Sequence, residues 1–166
     1  MQEGKKLLFR GSDATGPFEL TYGKAISHEP SLAGRSTAVL NAKSLMWKDR
    51  DLVVKISWPS AGRVAENAFI GQAAKKAKST PGGKWALNHL PQVLFVQDII
   101  FDSDSTHEKV ARLFDGAEFV CKKDGYKYER RTLRIIIQER LYPLKTLTDV
   151  KSIGQVLLDV ACSTCF

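Results

Sequence analysis

The sequence holds no run of apolar residues long enough to cross a bilayer, for which about 20 are needed. Its first residues, MQEGKKLLFRGSD, carry too short an apolar patch behind the lysines for a secretory signal. An intracellular protein, cytoplasmic or nuclear, with no membrane partner is the expectation. Cysteine is scarce. The three residues, Cys121, Cys162 and Cys165, are odd in number and two stand at the last positions, which excludes a disulfide framework as the organising device. Cys162-Ser-Thr-Cys165 has the spacing of a zinc or redox pair, yet no second pair follows and no histidine stands near, so two small residues at a helix end is the plainer reading. Repeats and low-complexity tracts are absent, which excludes a solenoid.

What is present is an ordinary globular composition. With 43% hydrophobic residues over 166 positions, the chain can form one domain with a core, or one lobe of something larger. A net charge of +7 leaves phosphate ligands, nucleic acid and acidic partners open. The cations gather at Lys75, Lys76, Lys78 and Lys84, then at Lys122, Lys123, Lys127, Arg130, Arg131 and Arg134. Tyr126 and Tyr128 interleave the second group, as on an RNA-binding face, but a hairpin with one wet face has the same pattern. Nucleic acid is therefore the least favoured partner.

The stretch DLVVKISWPS, residues 51–60, carries the first chemical signal. Alternation puts Leu52, Val54, Ile56 and Trp58 on one face of a strand and Val53, Lys55 and Ser57 on the other. The first face is core. The second joins a valine to a cation, which suits either water or a ligand that is flat and apolar in one part and anionic in another. Strands are expected before it at Phe18–Tyr22 and Ala38–Ala42, so that the three form a meander, while the first ten residues read as a loose end.

After Pro59 the period changes. RVAENAFIGQAAKKAK, residues 63–78, reads as a helix stopped by STPGG, and Glu66, Ile70, Ala73 and Ala77 share a stripe, which turns the carboxylate inward. An inward carboxylate needs a cation, and Lys55 is the odd one available. A glutamate at the stripe's edge reaching water is the alternative. Further on, Val93–Ile99 reads as a strand, Ser105 and Glu108 as a capping box for a helix through Phe114, Asp124-Gly125 as a hairpin turn, Leu133–Ile137 as a buried strand, and Ser152–Ala161 as a helix.

A lysine on the third strand and an inward glutamate on the following helix resemble the small lobe of a protein kinase. The wording LVVKISWP, then R-x-x-E, HLPQVLFV and RTLRIIIQERLYPL, is similar to the fungal-type protein kinase family, from about Gly16 to Val160. The fold class so implied is α+β: a kinase-like N-terminal lobe with a twisted antiparallel sheet and a C-type helix over 16–138, an inserted helix and hairpin at about 102–131, then a hinge and the start of the C-terminal lobe over 139–166. Residues 1–15 are expected to be a flexible N-terminus.

The resemblance also assigns roles. Lys55 would bind the α- and β-phosphates of ATP, Glu66 would hold it, and Val53 and Val39 would touch the nucleotide. Glu139, Arg140 and Leu141 would be the hinge, with Gln138 at the gatekeeper position. Of the phosphate-covering glycines only Gly34 survives, Leu32 and Thr37 taking the other two places, and Arg35 could add charge. The step from 55 to 66 is short for a kinase, so the helix's first turn would be trimmed. No H-R-D-x-x-x-x-N is present, and Phe114-Asp115-Gly116 stands before the hinge, where a metal-binding D-F-G cannot lie. The expectation is a truncated kinase domain that binds ATP weakly or not at all, is inactive alone, and has magnesium only in full-length relatives. The alternative is a non-catalytic module whose leucines at 141, 144, 147, 157 and 158 dock on a protein partner.

Overall fold

The structure, a computed structural model, describes residues 4–11, 16–30, 36–83, 86–87, 90–99, 105, 108–110, 112–113, 130–142, 148–151 and 153–155. The chain is of the α+β class and divides into two compact units, Met1–Ala65 with Gln92–Glu139, and Glu66–Pro91 with Arg140–Phe166.

The first unit is a six-stranded antiparallel sheet: β1 (Lys5–Phe9), β2 (Phe18–Glu29), β3 (Thr37–Lys43), β4 (Leu52–Ser57), β5 (Val93–Ile99) and β6 (Leu133–Glu139). Their order across the sheet is β1-β2-β3-β4-β6-β5, so a four-strand meander is followed by a crossover that leaves β6 between β4 and β5. Composition explains that placement. Ile135, Ile136 and Ile137 are all buried, and only an interior strand covered on both faces can shelter three consecutive large side chains.

One face of the sheet carries the core. Leu20, Leu52, Val54 and Ile137 are closed to solvent, and the register sets Val54 between Leu40 and Ile137. Aromatic rings close one part of it. Phe9 stacks on Phe18 at 5.1 Å, while Phe95 and Trp47 meet Phe18 edge-on, both at 5.0 Å.

Three local readings change. Lys5–Phe9, expected to be loose, is an edge strand, because Leu7 and Phe9 alternate onto the core face opposite Leu20 and Phe18. Strand β2 runs on to Glu29, well past Tyr22, through Lys24–Glu29, which are exposed; pairing with β3, bent by register shifts at Tyr22/Ala25 and Ala25/Ser27, holds this part rather than burial. The helix expected from Arg63 starts at Glu66, and residues 60–63 form a turn tied to the chain before β6: Ala61 N–H donates to the Arg130 carbonyl at 2.7 Å, and Ser60 bridges Arg131.

In the second unit, helix α1 (Glu66–Ser79) ends where expected. The Thr80 N–H and hydroxyl both donate to the Lys76 carbonyl, and Gly82 takes a left-handed φ of 76°. A Cβ on Gly83 would lie 2.6 Å from the Ala77 carbonyl oxygen, so glycine is required there. Strand β5 matches its expected span. Glu108 N–H donates to Ser105 Oγ at 3.2 Å, the bond expected of a cap, ahead of helical residues 108–110 and 112–113. The Asp124-Gly125 hairpin, all three cysteines, Phe114, Lys84, Leu144, Leu147 and the end of the last helix lie outside the described residues.

Candidate functional site on the second face of the sheet

The face opposite the core has a mixed chemistry. On β4 it presents Val53, Lys55 and Ser57. Across β3 the register sets Val39 beside Lys55 and Asn41 beside Val53. Across β6 it sets Gln138 beside Val53, Ile136 beside Lys55 and Arg134 beside Ser57, with Val96 and Asp98 of β5 beyond. Among the described residues of this face, Lys55 is thus the cation set within an apolar patch of Val39, Val53, Ile136 and Val96.

This face is not a solvated one. Ile136 is 1% exposed, Val53 5% and Ser57 8%, while Lys55, Val39 and Gln138 are half-buried. A lysine keeps such a position by lying with its stem on apolar neighbours and its ammonium at a polar boundary. Gln138 adds a second feature. Its Oε1 is buried and accepts no hydrogen bond, although an orphaned amide oxygen costs roughly 1–3 kcal/mol.

Farther along the same face, Arg134 is buried and forms a two-pronged pair with Asp98, Nε to Oδ1 at 2.7 Å and Nη2 to Oδ2 at 2.7 Å. The hydrogen bonds to Asp98 hold the guanidinium above its already high ordinary pKa, against the opposing effect of burial. The basic cluster read from the sequence is reduced accordingly. Arg134 points into the fold, Arg131 donates to the Trp58 carbonyl at 3.0 Å, and Arg130 lies 3.7 Å from Glu108. The cations and tyrosines from Lys122 to Tyr128 lie outside the described residues.

The remaining residues of the expected nucleotide site are divided between the two units. Glu139 ends β6, but alternation puts its side chain with Ile135 and Ile137 on the core face, where its carboxylate accepts from Arg50 at 2.6 Å. Its N–H donates to the Gln92 carbonyl, and the boundary between the two units falls immediately after it. Leu141 is exposed and Arg140 lies over the Tyr142 ring at 5.1 Å, both in the second unit. Glu66 belongs to that unit too, as the first residue of α1, and it is exposed rather than turned inward. The sheltered stripe of α1 is Asn67, Ile70, Gly71, Ala74 and Ala77, so the expected stripe was set about one residue off its axis and Glu66 and Ala73 fall outside it. Gly34, Leu32 and Arg35 lie outside the described residues.

Val39, Val53 and Lys55 are therefore brought together on one sheltered face, and Gln138 joins them. The Asp98–Arg134 pair was missed, although a charge inside each of the apolar runs VLFVQDII and LRIII was the same signal that singled out Lys55. Among the described residues no three His, Cys, Asp or Glu side chains gather as a metal site, and no helix is long and apolar enough to cross a membrane. Comparison with family models, curated proteins and solved structures yields no match.

Proposed function

We propose that the second face of the sheet binds a purine nucleotide, and that the sheet is the small lobe of a protein kinase-like fold of the fungal type. The observation that carries this reading is the placement of Lys55 on β4, with Val39 and Val53 on its face and β6 inserted between β4 and β5. A kinase small lobe requires that arrangement around its phosphate-binding lysine.

The side chains suit the ligand. Val39 and Val53 offer an apolar surface to a flat base, and Lys55 is a point charge for phosphate oxygens. The orphaned Gln138 Oε1 is an acceptor for the exocyclic amino group of adenine. Among the described residues of this face the carboxylate is Asp98, which is committed to Arg134, so none is assigned to magnesium. Phosphoryl transfer would need an H-R-D aspartate and a metal-binding D-F-G that the 166 residues do not contain, so the proposal concerns binding.

Equilibrium binding of ATP, adenosine and GTP to the whole chain tests it. The account expects weak ATP binding, with a dissociation constant in the millimolar range or about −4 kcal/mol. Lys55→Met should weaken ATP a few fold and leave adenosine unchanged. Gln138→Leu should erase a preference for ATP over GTP, since the 6-oxo group of guanine offers no donor. Equal responses of ATP and adenosine to Lys55→Met would overturn the assignment of Lys55.

A second reading is favoured by one observation. Leu141, Tyr142 and Val150 of the second unit are 60% exposed or more, as a non-catalytic module that docks on a protein would have them. Under that reading Lys55→Met changes no binding property, and the chain sediments as a single species only with its partner.

A further inference from the structure

The first unit carries a concavity of about 350 Å³ where β3 ends and the chain turns toward β4. That volume is within the range of pockets that hold a small ligand or an anchoring side chain. Its wall is the turn at Leu45–Trp47, a single 3-10 turn that sends Trp47 to the core and leaves Leu45 and Met46 outside. Ser44 is buried, its hydroxyl donates to the Glu19 carbonyl at 2.7 Å and accepts from the Met46 N–H, and Trp47 fills the core slot against Phe18. Leu45 is left 92% exposed and Met46 41% exposed. A leucine displayed on an anchored turn, beside a concavity, is an apolar contact point that the fold does not use itself.

The lining holds three cations, Lys43, Lys48 and Arg50, and two carboxylates, Glu19 and Asp51. Arg50 is matched by Glu139, Glu19 by Lys6 at 2.8 Å, and Asp51 is also engaged, which leaves the balance of free charge positive. Lys43 and Lys48, one on each side of the turn, are exposed and have no ion-pair partner among the described residues. We infer that this concavity is a docking site for an acidic peptide segment of another protein, with an apolar side chain packed against Leu45 and Met46 and carboxylates reaching Lys43 and Lys48. Charge complementarity selects the partner: the two unmatched lysines attract carboxylates, and the flanking apolar surface requires an apolar anchor that free phosphate or a nucleic-acid backbone lacks. The site is independent of the nucleotide face, so failure of one assignment leaves the other standing.

The test is fluorescence anisotropy of the whole chain with a short fluorescein-labelled peptide, Leu-Phe at its centre and aspartate and glutamate on both sides. One control peptide replaces the acidic residues by lysine and another replaces Leu-Phe by serine. The acidic apolar peptide should bind and both controls should bind at least about tenfold more weakly, a difference of about 1.4 kcal/mol. The K43E/K48E double variant and L45S should each lose roughly tenfold, while K55M should lose none. These side chains are exposed, so the variants keep the fold, which circular dichroism verifies. Undetectable binding of the acidic apolar peptide, equal binding of the serine control, or unchanged binding to K43E/K48E would overturn the proposal. So would sedimentation showing a dimer of the wild-type chain that L45S disperses, because the occupant would then be a second copy.

Discussion

The two faces of the sheet in the first unit are built from the same strands, yet they are stabilised differently. On the core face Leu20, Leu40, Leu52, Val54 and Ile137 contact one another through carbon alone. On the other face the equally buried Ile136 and Val53 stand beside Lys55, Arg134 and Gln138, each of which needs a polar counterpart. A one-residue step along β4 or β6 moves from one regime to the other. The first face therefore accounts for folding, and the second retains groups that folding alone would not select.

Four measurements would break or sharpen that contrast, taken from the largest expected effect to the smallest. Ile137→Ala and Ile136→Ala, adjacent residues on opposite faces, should each cost roughly 2–5 kcal/mol in urea unfolding, since both are almost fully buried. A cost below about 0.5 kcal/mol for Ile136→Ala would mean that the second face is open to water and the contrast false.

Asp98→Ala should cost roughly 1–3 kcal/mol. It strands a buried guanidinium, but the Asp98 side chain is 39% exposed, so water offsets part of the loss. The double variant Asp98→Leu/Arg134→Met should recover most of it. The pH dependence has a definite sign. The folded pKa of Arg134 is raised, so its contribution is complete below the unfolded value and is lost only as pH rises through the folded one, beyond the usual alkaline range. Stability lost through Asp98→Ala should therefore be flat between neutral pH and pH values of about 10.

Lys55→Met should change stability by less than about 1 kcal/mol while weakening the proposed ATP binding a few fold. Arg50→Ala is expected to have the smallest effect. The Arg50–Glu139 pair is 44% and 35% exposed on its two sides, so the loss should stay below about 1 kcal/mol and shrink further at high salt.

The parts of the fold that were legible in the sequence are those fixed by short-range periodicity. The alternation around Lys55, the span of β5, the apolar β6 and the Ser79–Gly83 stop each follow from a few consecutive residues. What was not legible depends on partners remote in sequence. Lys5–Phe9 has polar flanks and becomes a strand only because Leu20 and Phe18 lie opposite, and Lys24–Glu29 are strand only because β3 pairs with them. The helix start was set three residues early, since the contact of Ala61 with Arg130 cannot be read locally. For the site, Val53 and Lys55 share a face as alternation implied, and Val39, which only the family resemblance assigned, lies beside Lys55 across β3. Glu66 is exposed, in line with the alternative of a glutamate at the stripe's edge, because two helical stripes one residue apart share Ile70 and Ala77 and alanine-rich sequence does not distinguish them.

The most direct measurement is a titration of the isotopically labelled chain with ATP, followed by amide chemical shifts, for the wild type and Lys55→Met. The account predicts perturbations centred on Val39, Val53, Lys55 and Gln138 that at equal ATP concentration are smaller by a few fold in the variant and absent from the core-face strand residues Leu20 and Leu40. Perturbations centred elsewhere, or the same pattern with the lysine removed, would contradict it.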